Sequence, residues 1–414
     1  MKSNQEFKTK KFIVAQLGAR MHYAVPEIFQ QNDLLKKFYT DLYFFNHHFF
    51  TPFRLNNNYL VKKFISRRSK VLYDNLVSHF LILGLLYYHK LKQAKNEIEK
   101  IAVYLEMGEK FNLKILKHLD FEFGGIYTFN TAGLGLMNSV GNNVYKVHEQ
   151  TIAPFYIERQ LLQNEEEKFP SWIIANKLNY DIPMVKEYIS KELEELVISD
   201  RIYCASDFVK NSILSCHKKI NADKIKIVPY GVDLVDNFNT IKIQKKPQSK
   251  IKVLTVGTVG IRKGHPYIIE AAKKLKDIAE FRIIGDYTMV PPRLISNVSK
   301  NVTFLGQIPR QDVAKNYQWA DVFLLPSICE GSATATYEAL VSGLPIIVTP
   351  NAGSVIENNK HGFIIPVSNT NAICNKIEEL YNHPDKLNYF KENISQLKLF
   401  LSKEGYKNRF ISNL

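Results

Sequence analysis

The sequence predicts an α/β protein of two Rossmann-like domains, each a parallel sheet with helices on its faces. Three observations lead there. The 414 residues exceed what one hydrophobic core usually organises, so the chain should divide. Residues 321–350, DVFLLPSICEGSATATYEALVSGLPIIVTP, read as a single βαβ unit. At Lys252 a fresh strand, glycine-rich turn and helix begin, just after a polar, basic stretch, 237–250, that has the composition of a linker. The expected domains are therefore 1–236 and 251–395.

Composition narrows the function. A net charge of +15 implies attraction to something acidic, such as nucleic acid, an anionic membrane or phosphorylated substrates. No helix-turn-helix, zinc or RNA-binding signature supports nucleic acid, which is set aside. Cys204, Cys216, Cys329 and Cys374 have no metal-ligand spacing and fit reduced thiols in a cytosolic protein; nothing marks Cys329 as a nucleophile. The apolar run Phe80–Tyr88 is too short to span a membrane, and Phe12–Leu17 is too short for a signal sequence. A cytoplasmic location is expected, with peripheral contact at the inner face of the cell membrane as one use of the charge.

In chain order, Phe12–Leu17 forms the first strand and turns at Gly18, which serves either as a tight turn or to let the backbone approach a phosphate or sugar. Residues 34–120, rich in Phe, Tyr, Leu, Lys and Arg, are predicted to be mostly helical. Within them Lys62, Lys63, Arg67, Arg68 and Lys70 occur without an acid and interleave with Phe64 and Ile65. Two readings fit equally: a helix lying on an anionic membrane, and a solvated basic face. Gly133 and Gly135 lack the third glycine of a dinucleotide fingerprint. Val144–Val147 is a short strand that should deliver His148 and Glu149 to its carboxyl end; a lone histidine is more often structural, but a strand end favours a role. Residues 187–215 read as helix, strand and capped helix, and 225–233 as the strand and turn that close the first domain.

The second domain opens with KVLTVG and the turn Gly257–Gly264, GTVGIRKG. Its glycines let the backbone approach an anion, and Arg262 and Lys263 can neutralise one, as a departing diphosphate requires. In the βαβ unit Val322–Leu325 is a strand ended by Pro326; Ser332 or Thr334 can cap a helix carrying Ala335, Leu340 and Val341; Gly343 and Pro345 stop it before the strand Ile346–Val348. Ligands of such sheets lie at the carboxyl ends of the strands, where the loop 327–332 places Glu330. Gly331, Ser332 and Ala333 are small residues at the helix start, where free N–H groups and the dipole favour phosphate. Glu338, one turn further on, is roughly 6 Å from that point, the span from a diphosphate to a ribose. A carboxylate accepts two hydrogen bonds from a vicinal diol, so Glu338 suits the ribose and Glu330 a second sugar. Alone, a glutamate pair is better read as two solvated surface residues; the flanking strands and small-residue helix start turn the balance toward the site.

Glu330 and Glu338, with seven residues between them in EGSATATYEALVSGLPIIVTPNAGS, resemble the EX7E motif of the retaining nucleotide-sugar glycosyltransferases of family four. That family has the GT-B fold of two facing Rossmann-like domains. The resemblance covers 185–370 well and the first half loosely. It implies that Glu330 contacts the donor sugar, Glu338 the ribose, and that Gly18, Ala19 and Arg20 line the cleft. His148 resembles the family's first-domain histidine near the donor sugar, although VHEQTIAPF departs from its surroundings. Lys263 aligns with the family lysine; the family arginine is replaced by Thr258, and Arg262 is the candidate to take its role. The fold also allows the last helix, 396–414, to cross back onto the first domain.

The expected function is transfer of a hexose, with retention, from a nucleoside-diphosphate sugar to a hydroxyl of a glycan or lipid-linked acceptor, in cell-surface polysaccharide or glycolipid synthesis. The expected catalytic residues are Glu330, His148 and Lys263, with donor contacts from Gly18, Arg262, Lys263, Glu330, Gly331, Ser332, Ala333, Thr334 and Glu338. No cofactor is expected, and no metal, since no Asp-x-Asp pair occurs and the cations can serve instead. A nucleotide-sugar 2-epimerase of the same fold and a non-catalytic sugar-nucleotide or glycan-binding protein are the alternatives.

Overall fold

A computed structural model of the protein describes residues 10–45, 67–120, 122–173, 181–233 and 249–414. Among these, two sheets carry the chain. The first holds β1 (Phe12–Gln16), β2 (Leu35–Thr40), β3 (Val77–His79), β4 (Gly125–Phe129), β5 (Tyr145–Gln150), β6 (Arg201–Cys204) and β7 (Ile225–Ile227), in the order β3-β2-β1-β4-β5-β6-β7. The second holds β8 (Ile251–Val256), β9 (Ala279–Ile284), β10 (Val302–Gly306), β11 (Val322–Leu325), β12 (Ile346–Val348) and β13 (Gly362–Ile364), in the order β10-β9-β8-β11-β12-β13. Every ladder is parallel, as in the α/β architecture the sequence predicts. Each order reverses once, between β1 and β4 and between β8 and β11, and a doubly wound sheet opens its ligand crevice at that point.

Helices α1 (Ala24–Gln31), α2 (Leu81–Gln93), α3 (Glu97–Leu116), α4 (Leu134–Ser139), α5 (Phe155–Lys168), α6 (Pro183–Ile198) and α7 (Asp207–Cys216) connect the first sheet. The second has α8 (His265–Lys274), α9 (Arg310–Trp319), α10 (Thr334–Val341), α11 (Thr370–Asn382) and α12 (Asp385–Ser395). Strands β11 and β12 are buried at every position, which is why VFLL and IIV are uninterrupted apolar runs rather than alternating ones.

Two elements lock the halves together. Helix α5 follows β5 in the chain, yet Leu162 sits in the second domain's core with Ile268, and Glu165, almost fully buried, accepts from the Tyr267 hydroxyl and from Ser368 Oγ at 2.7 Å. At the other end α13 (Lys403–Ser412) packs on the first domain: the Phe410 ring lies 5.5, 5.4 and 5.1 Å from Phe29, Tyr127 and Tyr203. Arg409 Nη2 donates to the Pro229 carbonyl at 3.0 Å, and Val232 N to Leu401 O at 2.9 Å.

Several elements differ from expectation. Among the described residues of 34–120 the helices α2 and α3 account for half, but β2 and β3, which the sequence did not suggest, extend the sheet before them. Strand β5 runs to Gln150 rather than ending at Val147, which puts His148 and Glu149 inside it. Lys62, Lys63, Phe64 and Ile65, and all but the last residues of the 237–250 stretch, lie outside the described residues. Arg67 is described, and it faces inward: Nη1 pairs at 2.7 Å with Asp41 Oδ2, a side chain 1% exposed. One cation of the basic cluster is thus engaged in compensating a buried charge and is removed from any membrane-facing role.

Candidate active site

The carboxyl ends of β1, β5, β8 and β11 converge where the domains touch. Gly331, just past β11, marks that contact. A Cβ there would fall 1.7 Å from the Thr151 carbonyl oxygen, so only glycine permits the approach. The Gly331 carbonyl accepts from Ser206 Oγ at 2.5 Å. Thr151 also accepts, through Oγ1, from Arg20 Nη1 at 2.5 Å, which ties the loop after β1 to the same place. Gly18, in that loop, has φ +86°, donates its N–H to Asp41 Oδ1 at 2.9 Å and faces open space on its Cβ side. Met21, His22 and Tyr23 follow with φ of 46°, 50° and 67°, left-handed backbone that costs about 1–3 kcal/mol at each non-glycine position.

Glu330 stands between the two cations. Its Oε1 is 2.7 Å from Lys263 Nζ and 3.0 Å from Arg262 Nη1, charge contacts rather than aligned hydrogen bonds. Lys263 reaches it across Gly257, where a Cβ would be 2.6 Å from Lys263 Cε. The Arg262 carbonyl accepts from Ile328 N at 2.8 Å, which ties the turn after β8 to the loop after β11. The neighbouring Cys329 is buried and its thiol pKa is pushed up by that burial, so it stays protonated and is no nucleophile.

The start of α10 differs from the expected cap. The N-cap is Ala333, without a side-chain bond; Ser332 Oγ instead lies 2.7 Å from both the Gly353 carbonyl and the Tyr337 hydroxyl. The amides of Glu330 and Ala333 are taken by Asn351 O and Ala352 O, each at 3.1 Å. Exposed Thr334 opens the helix, and its amide and that of Ala335 have no acceptor within it. The donors able to meet an anion therefore sit one to two residues beyond Ser332.

Glu338 is one third exposed, accepts from the buried Tyr317 hydroxyl at 3.1 Å, and has Arg310 Nη2 at 3.8 Å. Across the cleft His22 feels Arg310 and Glu338; burial first, then the Arg310 and Lys403 charges, lower its pKa. Tyr317, Arg310, Thr151 and His22 were missed from the sequence, where an aromatic or an arginine on a helix carries no motif. Glu338→Ala should raise the donor KM about tenfold to a hundredfold with little change in kcat, since a ribose contact is the same before and during reaction. A fall in kcat at unchanged KM in steady-state assays would remove the ribose role.

His148 does not reach the cleft. It is 0% exposed inside β5, its ring between Thr128 Oγ1 at 3.4 Å and Gln150 Oε1 at 3.3 Å, and burial lowers its pKa to about 4. The expected catalytic contact is thus corrected to a neutral side chain under the site, because the strand continues two residues past it. Among the described residues no three His, Cys, Asp or Glu side chains are placed to hold a metal ion.

Two doubly wound domains facing each other across such a cleft define the GT-B class, and solved structures of that class match over nearly the whole chain. Sucrose-phosphate synthase from Thermosynechococcus elongatus superposes with a TM-score of 0.63 at 15% identity, covering 97% of each chain. HepE from Anabaena, in complex with UDP and glucose, gives 0.59 at 13% identity, covering 97% of this chain and 98% of its own. Residues 236–397, 162 of the 414, match the model of the family glycosyl transferases group 1. Among curated relatives, the amylovoran biosynthesis glycosyltransferase AmsK of Erwinia amylovora is 25% identical over 277 residues, 54% of this chain and 67% of its own. The UDP-Gal:alpha-D-GlcNAc-diphosphoundecaprenol alpha-1,3-galactosyltransferase of Escherichia coli is 30% identical over 183 residues. That match spans 39% of this chain and about half, 47%, of the relative.

Proposed function

We propose that the protein is a retaining glycosyltransferase that moves a hexose from a nucleoside-diphosphate sugar to a hydroxyl of a glycan or lipid-linked acceptor, in synthesis of a cell-surface polysaccharide or glycolipid. The observation that carries this reading is Glu330 held by Lys263 and Arg262 at the crevice of the second sheet. In it the diphosphate lies against the two cations and the start of α10, the ribose at Glu338 and the transferred sugar at Glu330.

The physical logic is an exchange of partners. Without donor, Lys263 and Arg262 share the single negative charge of Glu330. A diphosphate offers them more charge, and Glu330 then turns to the hydroxyls of the sugar. As the glycosidic bond to the phosphate breaks, negative charge grows where the cations already stand and positive charge grows beside the carboxylate, so both ends of the transition state are met by preorganised groups. The departing phosphate, on the same face as the incoming hydroxyl, takes its proton, which retains the anomeric configuration and requires no enzymic nucleophile. An epimerase would need an acid and a base beside the sugar, and His148, 0% exposed inside β5, is not presented to one.

Incubation with UDP-, GDP- and ADP-sugars tests the reading. Slow nucleotide release supports a transferase, isomerised sugar an epimerase, and thermal stabilisation without turnover a binding protein. Because two fixed cations face the phosphates, transfer should continue in EDTA at its full rate; loss restored by magnesium or manganese would contradict this.

A further inference from the structure

We propose that α2 and α3 form a face by which the first domain seats on an anionic lipid surface. This goes beyond glycosyl transfer and stands independently of it. Helix α2, LILGLLYYHKLKQ, is apolar around most of its first half, yet only Leu83 and Gly84 are buried. Leu81, Ile82, Leu85 and Leu86 are 45, 84, 46 and 37% exposed, and Leu113 of α3, beside them, is 53% exposed. A helix apolar on all sides is ordinarily covered, and exposed apolar surface gathered on one face marks an interaction site.

The chemistry around the patch selects the partner. The two helices enclose a groove of about 670 Å³ whose apolar floor is edged by Lys110, Lys114 and Lys117. Spaced i, i+4, i+7, the lysines form one stripe along the end of α3 and its C-cap, Lys117. Lys110 is shared with Glu106 at 2.7 Å, while Lys114 and Lys117 are exposed. Leucines flanked by a lysine stripe suit the boundary between acyl chains and anionic headgroups: the apolar side chains enter and the ammonium groups stay at the phosphates. Among the described residues no helix is long and apolar enough to cross a membrane, so the contact would be peripheral.

Position links the face to the cleft. Phe80, which leads into α2, donates its N–H to the carbonyls of Thr40 and Asp41, both at 3.1 Å, and Asp41 receives the Gly18 amide. A lipid surface on α2 is therefore linked through Asp41 to the loop that faces the cleft.

The test is co-sedimentation of the full chain with vesicles of phosphatidylglycerol and of phosphatidylcholine alone, for the parent, Lys114→Ala/Lys117→Ala and Ile82→Ser/Leu85→Ser. The parent should bind the anionic vesicles only. Losing two lysines should weaken partitioning about 25-fold, roughly fivefold for each, and losing the two apolar side chains by at least as much. Thermal stabilisation by a nucleotide sugar should be unchanged in both variants, so failure of the docking face and failure of the donor site are read separately. Parent-like vesicle binding by both variants, no vesicle binding by the parent, or a dimer in solution that the variants dissociate would each overturn the proposal.

Discussion

Glu330→Gln should lower kcat by about two to three orders of magnitude with the fold intact. The change preserves size and part of the hydrogen bonding but removes the charge that faces the developing oxocarbenium. Glu330 lies in a loop, and its departure unpairs Arg262 and Lys263 rather than opening a core cavity. Freed of their internal partner, the two cations should bind the diphosphate as well as before or better, so the donor KM should hold or fall while kcat collapses. That split is the signature of a group acting on the transition state. Steady-state kinetics with circular dichroism as folding control decides it; a folded variant with parental kcat would remove Glu330 from the chemistry.

Lys263→Ala should cost a similar factor, about 10²–10³ in kcat, for the opposite reason. Its ammonium, 2.7 Å from Glu330 and only 12% exposed, meets the charge that accumulates on the departing diphosphate. Removal also leaves Glu330 with Arg262 alone, a partner 37% exposed, so part of the donor affinity should go as well. Lys263→Arg should recover only a fraction, since a forked guanidinium cannot occupy the path over Gly257 in the same way. Measuring nucleotide release for all three proteins separates the charge from its placement, and parental turnover by Lys263→Ala would place the leaving group elsewhere.

The parts of this site legible in the sequence are those where local pattern and topology agree. Pro326, Gly343 and Pro345 delimit β11, α10 and β12, and continuous apolar runs occur because parallel strands are covered on both faces. Arg262, Lys263 and Glu330 each follow a strand that borders the point where the sheet order reverses, so the fold class alone brings them near one another. What was illegible depends on distant partners. LKKFYT reads poorly as a strand because Lys36 and Lys37 interrupt it, and its burial is conferred by β1 and β3 on either side. Ser332 looks like a cap until Gly353 and Tyr337 claim its hydroxyl, and Arg67 looks like surface charge until Asp41, 26 positions away, takes it inward. His148 looks like a strand-end residue until β5 is seen to continue past it. In each case the side chain's partner is chosen by tertiary contact, which a pattern along the chain does not encode.

The central claim is that Glu330, Lys263 and Arg262 form the centre at which a nucleoside-diphosphate sugar is broken. The most direct measurement is nucleoside-diphosphate release from a panel of nucleotide sugars by the parent and by Glu330→Gln side by side, with thermal stabilisation by the same compounds recorded for both. The account predicts that one nucleotide class stabilises both proteins and that only the parent releases the diphosphate. Equal release by the two proteins, or stabilisation of neither by any nucleotide sugar, would contradict it.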